Sequence, residues 1–129
     1  MARPEVLARA TVLVAVNEAV PENHLLELLL GLEEEGIPST VVRQQAIDPL
    51  LLAHTASLQS ILGVGVGVSL GYIVVTTEKL PERRPYIARH LGESAAADRV
   101  IGMNAARLVK RVPLEPLAPA LAHVTGRTT

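Results

Sequence analysis

SILGVGVGVSLGYIVVTT, residues 60–77, carries no charged side chain, and its interpretation decides the fold. A run of this length reaches the threshold for a membrane-spanning helix. A helix is nevertheless disfavoured, because each of the four glycines would cost about 1 kcal/mol relative to alanine. Val and Gly also alternate over residues 63–68 with a period of two, which is typical of a strand. The stretch is therefore predicted to form two buried strands, residues 62–68 and 71–76, joined by a turn near Ser69-Leu70-Gly71. Strands so close together must pair antiparallel.

The glycines of GVGVGVSLG, residues 63–71, do not have the context of a phosphate-binding loop. No Lys-Ser/Thr pair and no helix follow them, and a dinucleotide-binding fingerprint would follow the first strand of the fold. We expect instead a strand whose glycine face lets a helix or a partner approach closely.

The rest of the chain alternates strands and helices, which predicts an α/β fold with a parallel sheet and helices on both faces. The antiparallel pair makes this sheet mixed. One domain is expected over residues 11–114, between tails at 1–10 and 115–129. The other predicted strands are 11–16, 39–43 and 86–90, and the predicted helices run from 21 or 22 to 35, from 49 to about 60, and from 98 to 111, with a loop at 92–97.

Composition excludes several classes of function. The 129 residues carry 12 Lys and Arg against 13 Asp and Glu, so no basic excess supports nucleic-acid binding. Two tyrosines are the only aromatic residues, which argues against stacking platforms for single strands. Without cysteine there is no disulfide, thiol catalysis or Cys-type zinc site. The short apolar run at residues 10–16 does not predict a signal peptide, and we expect a cytoplasmic protein that does not enter the membrane.

An apolar fraction of 49% together with a mean hydropathy of +0.33 suggests that some apolar surface meets a partner. The chain alone is therefore expected to dimerise or associate. No nucleophile with a base and no acid–base pair can be placed, so an enzyme is the least favoured interpretation.

Three acidic residues end the first predicted helix, at Glu33, Glu34 and Glu35, just before Gly36. Acidic side chains are unfavourable at a helix C-terminus, by tenths of a kcal/mol each. One interpretation is a solvated helix end; the other is a carboxylate offered to a cation or to a partner's arginine. Successive helix positions point about 100° apart, so the three cannot chelate one ion together. A single carboxylate would complete a site built elsewhere, and its hard oxygens suit Mg²⁺ or Ca²⁺.

Two segments of the chain resemble a known family. LLGLEEEGIPSTVV (29–42) resembles the signature of the small subunits of glycerol and diol dehydratase reactivases, and NAARLVKRVPL (104–114) resembles their C-terminal helix. KLP at 79–81 and the glycine-rich strand fall in the expected order between them. The resemblance spans roughly residues 11–114.

This resemblance implies a three-layer α/β/α fold with a five-stranded mixed sheet in the order 2-1-3-4-5, strand four antiparallel. It also implies a large, ATP-hydrolysing partner subunit, which binds the ATP or ADP, in an α2β2 assembly. Together the two subunits release damaged cobalamin from an inactivated, adenosylcobalamin-dependent dehydratase, the small subunit taking the place of the dehydratase's medium subunit. Such systems are cytoplasmic, and whether this one lies within a bacterial microcompartment stays open.

The family's middle Glu of EEEGIP reaches a Mg²⁺ ion in the large subunit, and that position is Glu34 here. The same two segments supply the expected partner contacts: Glu33, Glu35, Asn104, Arg107 and Lys110.

Two alternatives remain at this stage. One is a medium subunit of the dehydratase itself, although such subunits usually have a longer N-terminal extension. The other is a free-standing domain that binds a small molecule at the loop 17–23, because doubly wound sheets bind ligands at the carboxyl ends of their strands.

Overall fold

The computed structural model describes residues 10–117, and within them five strands and three helices. The strands are β1 (Val12–Asn17), β2 (Ser39–Gln44), β3 (Val64–Ser69), β4 (Tyr72–Thr77) and β5 (Ile87–His90). The helices are α1 (Leu26–Glu34), which a 3-10 turn at Glu22–Leu25 precedes, α2 (Pro49–Gln59) and α3 (Ala95–Lys110).

The strands form one mixed sheet in the order β2-β1-β3-β4-β5. β1 pairs parallel with both β2 and β3, whereas β4 pairs antiparallel with both β3 and β5. α1 and α3 cover one face of the sheet, and α2 covers the other. The predicted three-layer fold, strand order and reversed fourth strand are confirmed.

The glycines of β3 let α2 lie directly against the sheet. A Cβ atom at Gly67 would lie 2.5 Å from the Pro49 carbonyl oxygen and 2.6 Å from the Ala53 nitrogen, and one at Gly65 would lie 2.5 Å from the Ala53 carbonyl oxygen. The valines that alternate with these glycines point the other way, into the core beneath α1 and α3. The predicted glycine face is confirmed, and the element that approaches it is a helix of the same chain.

The turn between β3 and β4 is the tight hairpin expected at Ser69-Leu70-Gly71. Leu70 has φ +55° and Gly71 has φ +77°, so both central residues are left-handed, as a type I′ turn requires. Glycine accepts this conformation freely, whereas leucine is strained in it. Leu70 is also 67% exposed, so no packing offsets the strain.

The main core lies between the sheet and the pair α1 and α3. Its fully buried leucines come from the turn before α1 and from α1 itself, and Ile101 faces them from α3. The two helices cross in close contact at glycines: a Cβ at Gly31 would overlap the main chain of Arg99, and one at Gly102 would overlap that of Leu28. Because the two helices lie this close together, charged side chains of α1 and α3 can form ion pairs with each other.

Two predicted boundaries are wrong. The last helix begins at Ala95, not at Asp98, because the Ser94 hydroxyl accepts a hydrogen bond from the Ala97 amide at 3.0 Å and caps a helix that starts on three alanines. The predicted loop at 92–97 therefore ends at Ser94. The first helix is also shorter than predicted, because its first turn, Glu22–Leu25, is 3-10.

Of the expected tails, residues 1–9 and 118–129 lie outside the described residues. Within the described part, Leu117 still packs against the core. No helix of residues 10–117 is both long and apolar enough to span a membrane.

Candidate partner-binding site

The acidic segment forms a complete C-terminal cap of α1. The Gly36 amide donates to the Glu33 carbonyl at 2.9 Å, and the Ile37 amide donates to the Leu32 carbonyl at 3.2 Å. This pair of hydrogen bonds is a Schellman motif, in which the left-handed residue is Gly36 with φ +78°. The sequence EEEGIP therefore turns the chain from α1 into β2 with fixed geometry, and the three carboxylates leave it in different directions.

Glu35 is the most enclosed of the three, with its side chain 13% exposed. Its Oε2 atom accepts a hydrogen bond from Arg107 Nη2 at 3.0 Å, and its Oε1 atom accepts one from Lys110 Nζ at 2.6 Å; both donors lie on α3. The hydrogen bond from Lys110 and then that from Arg107 lower the pKa of the Glu35 carboxyl below its ordinary value. Glu35 thus ties the end of α1 to the end of α3.

Glu34 lies at the margin of a second ion cluster and is 46% exposed. Its Oε2 atom contacts Arg99 Nη1 at 3.2 Å. Arg99 is held mainly by Glu27, whose Oε1 accepts from Arg99 Nη2 at 2.6 Å and from Nε at 2.9 Å. The hydrogen bond and charge of Glu27, ahead of the contribution of Glu34, raise the pKa of the Arg99 guanidinium. Glu34 is the looser of the two carboxylates bound to Arg99.

Glu33 points to a different part of the surface. It lines an open depression of about 480 Å³ at the start of β2, together with Leu29, Ile37 and Pro38. No ion pair of Glu33 occurs among the described residues. The carboxylate of Glu33 is therefore adjacent to that of Glu34 in sequence but points to a different part of the surface.

Asn104 lies inside the protein. Its side chain is fully buried, donates to the Glu115 carbonyl at 2.9 Å and accepts from the Glu115 amide at 2.6 Å. Arg107 reaches the same segment, with Nη1 3.3 Å from Glu115 Oε1. In this arrangement Asn104 holds the chain after α3, and direct contact with a partner would require that segment to move.

The prediction that Glu33, Glu35, Asn104, Arg107 and Lys110 bind a partner is not tested by these contacts. The contacts do show what holds the acidic helix end together: basic side chains of α3 compensate for two of its three carboxylates. Sequence reasoning missed Glu27 and Arg99. The spacing of Glu27 and Glu34, seven residues apart and so on one side of a helix, was the available signal.

Within residues 10–117 no group of three His, Asp or Glu side chains is placed to hold a metal ion. Glu34 still fits one role toward a hard cation such as Mg²⁺, because it is exposed, acidic and engaged by a single 3.2 Å contact. A single carboxylate can supply only one ligand, so a cation site that includes Glu34 would need its remaining ligands from another molecule.

The alternative small-molecule site at the loop 17–23 has a cavity of about 450 Å³ between the ends of β1 and β3, lined mostly by apolar residues. The Asn17 amide donates to the Ala46 carbonyl at 2.8 Å, and its Oδ1 accepts from the Ala19 amide at 2.9 Å. The Asn17 side chain is therefore already used to hold the loops together.

Comparison with known proteins agrees with these features. The family model described as dehydratase medium subunit matches residues 9–115. The propanediol dehydratase-reactivating factor small subunit of Salmonella typhimurium is 36% identical over 110 residues, covering 85% of this chain and 93% of that protein. Its counterpart from Citrobacter freundii is 41% identical over 87 residues, covering 67% and 75%.

Solved structures show the same relationship. A structure of diol dehydratase-reactivating factor complexed with ADP and Mg²⁺ contains a chain that superposes with a TM-score of 0.80 at 32% identity, covering 84% of this chain and all of that one. A glycerol dehydratase reactivase chain gives 0.79 at 31% identity, covering 84% and 98%. The chain therefore belongs to the dehydratase medium subunit family and, within it, to the small subunits of the dehydratase-reactivating factors.

Proposed function

We propose that this chain helps a large reactivase subunit to release damaged cobalamin from an inactivated, adenosylcobalamin-dependent diol or glycerol dehydratase. The observation that supports this most is its double relationship: reactivating-factor small subunits match it in sequence and fold, and the family model described as dehydratase medium subunit matches its residues 9–115. We infer from this family relationship that the chain can take the medium subunit's place in the dehydratase. Such an exchange would loosen the dehydratase around its cobalamin.

In this proposal the chain is non-catalytic, and the large subunit binds and hydrolyses ATP. The complex contains two copies of each subunit. ADP and Mg²⁺ accompany a related reactivating factor, which supports a nucleotide-dependent cycle for the whole assembly. We place the assembly in the cytoplasm, where it reaches a dehydratase that is free or enclosed in a microcompartment.

Co-expression separates this proposal from the alternative of a dehydratase medium subunit. The tagged chain is produced together with the large reactivase subunit and all subunits of the dehydratase from the same organism, and native mass spectrometry identifies what it binds. We expect a complex with the large reactivase subunit. A stable, stoichiometric complex in which this chain replaces the medium subunit throughout purification would support the alternative instead.

Glu34 is the residue of this chain proposed to complete a Mg²⁺ site that the large subunit mainly provides. Its exposed carboxylate can turn toward a partner at small cost, since an isolated surface ion pair contributes little. Arg99 keeps both of its hydrogen bonds to Glu27 when Glu34 leaves it. The ion would supply positive charge that links the two subunits. Its binding would depend on the nucleotide state of the large subunit.

Titration of Glu34→Gln with the large subunit, with and without Mg²⁺, tests this role. Glutamine keeps the size of the side chain but removes its charge, so we expect Mg²⁺-dependent affinity to fall about 10- to 100-fold. Glu33→Gln is the matched control, because it removes the same charge one position away: as an expected partner contact that binds no metal, it should lower affinity less than Glu34→Gln does, and by the same factor with and without Mg²⁺. Equal affinities for the two variants would exclude the proposed role of Glu34.

A further inference from the structure

A groove runs between α3 and β5, the strand at one edge of the sheet, and contains a cavity of about 220 Å³. Ser94 marks its far end, at the start of α3. The wall that α3 contributes is small and apolar, and consists of Ala96, Ala97, Val100 and Ile101. Pro116 and Leu117, where the described part of the chain ends, line the same cavity. The chain therefore leaves the described region inside this groove.

The direction of the chain after α3 is fixed by its contacts. Arg111 ends α3 in a left-handed conformation, with φ +60°, and the chain turns back there. The main chain of Glu115 then forms both of its hydrogen bonds with the Asn104 side chain. Leu117 follows at the level of Val100 and packs against the core. The segment thus runs antiparallel to α3, toward the start of that helix.

The sequence PLEPLAPALA, residues 113–122, has a proline at every third position: Pro113, Pro116 and Pro119. This spacing matches the three residues per turn of a polyproline II helix. Within residues 113–117 the prolines are exposed and the residues between them are partly buried. If the pattern continues, Ala120 and Leu121 face the protein and Ala122 faces the solvent.

We propose that residues 118–121 continue along this groove and fill the rest of its cavity. The ten residues from Ser94 to Asn104 make about 15 Å of helix, since each residue adds about 1.5 Å. A polyproline II chain rises about 3.1 Å per residue and covers this distance in about five residues. Five residues after Glu115 is Ala120, so Leu121 occupies the far end of the cavity.

The composition of the segment suits the groove. Residues 116–122 carry no charge, so their docking against the apolar wall of α3 buries no charged group. Alanine and proline lose no side-chain freedom when they become ordered. The docked segment also lies beside β5 and helps to cover the edge of the sheet, which would otherwise be open to another strand. The family model matches residues 9–115, so this inference does not depend on the function proposed above.

Thermal unfolding of the full chain, followed by circular dichroism, tests whether the segment docks. Leu121→Asp removes the apolar side chain and places a charge in the groove, so Tm should fall by about 3–6 °C. Ala122→Asp is the matched control, because it adds the same charge at the next position, which faces the solvent in the docked segment. It should change Tm by less than about 2 °C.

Disulfide formation locates the segment, because the chain has no cysteine of its own. Ala96→Cys combined with Ala120→Cys places two thiols at the same end of the groove, within the Cα separation of about 4.4–6.8 Å that a disulfide needs. Leu58→Cys combined with Ala120→Cys is the control, because Leu58 is exposed on α2, across the sheet. The first pair should oxidise at least about 10-fold faster than the second.

Three results would overturn the proposal. One is a Leu121→Asp variant that melts at the same temperature as the parent chain, which would leave the groove to another molecule. The second is an equal loss of Tm in Leu121→Asp and Ala122→Asp. The third is equal rates of oxidation in the two cysteine pairs.

Discussion

Replacement of Gly67 by alanine tests how closely α2 rests on the sheet. The added Cβ would lie 2.5 Å from the Pro49 carbonyl oxygen, 2.6 Å from the Ala53 nitrogen and 3.1 Å from the Ala53 Cα. Ordinary contacts begin at 3.4 Å, so α2 must move outward by about 0.9 Å. These are main-chain atoms of one helix, and no side-chain rotation can relieve the overlap.

The free energy of unfolding should fall by about 1–2 kcal/mol. Overpacking of a close contact costs about 1–3 kcal/mol, and a gap of 0.5–1 Å removes about a quarter to a half of the attraction between the surfaces it separates. In the opposite direction, alanine gains about 0.5–1 kcal/mol over glycine in a strand, because the unfolded chain loses less freedom. The packing loss exceeds this gain, so the variant should be less stable.

Urea denaturation followed by circular dichroism measures this difference. Gly71→Ala is the matched control in the same hairpin: its Cβ would meet no atom within 4 Å, so the left-handed φ penalty of about 1–2 kcal/mol acts without any overlap, and the same gain of about 0.5–1 kcal/mol from the unfolded chain offsets part of it. A Gly67→Ala variant as stable as the parent, or more stable, would refute the close packing of α2 on β3.

Two further changes have definite expected outcomes. Leu70→Asn should raise the free energy of unfolding by about 0.5–1 kcal/mol, because asparagine tolerates the left-handed conformation that strains leucine; a loss of stability in urea denaturation would contradict the assigned turn. Glu35→Gln should lower stability at pH 7, because it breaks the ion pairs with Arg107 and Lys110. The pKa of Glu35 is lowered from 4.5 in the folded protein, so the stabilisation is complete above pH 4.5 and is lost as the pH falls through the lowered pKa. The two proteins should therefore converge in acid, and a constant difference between pH 7 and pH 3 would contradict this assignment.

The sheet was readable from the sequence because its signals are local. The alternation of Val with Gly65 and Gly67 indicates a strand. It also indicates which face of that strand is buried in the core and which face lets a helix approach closely. The short connection at Leu70-Gly71 fixes an antiparallel pair. The start of α3 was missed because Ser94 and the alanines after it resemble a small, polar loop until the cap hydrogen bond is seen.

The acidic helix end was harder to interpret because its partners are distant in sequence. Glu35 meets Arg107 and Lys110, which follow it by more than 70 residues, and only the glycine-mediated contact of α1 with α3 brings them together. The divergence of the three carboxylates did follow from helix geometry. The burial of Asn104 did not, because it depends on the path of the chain at Glu115.

Release of damaged cobalamin is the most direct test of the proposed function. The dehydratase from the same organism is inactivated with its cobalamin bound and incubated with the large reactivase subunit, ATP and Mg²⁺, with or without this chain. Free cobalamin is then separated by ultrafiltration and measured by its absorbance. We predict release that depends on this chain, on the large subunit and on ATP. Release at the same rate without this chain, or retention of cobalamin when all components are present, would contradict its role as the small subunit of a reactivating factor.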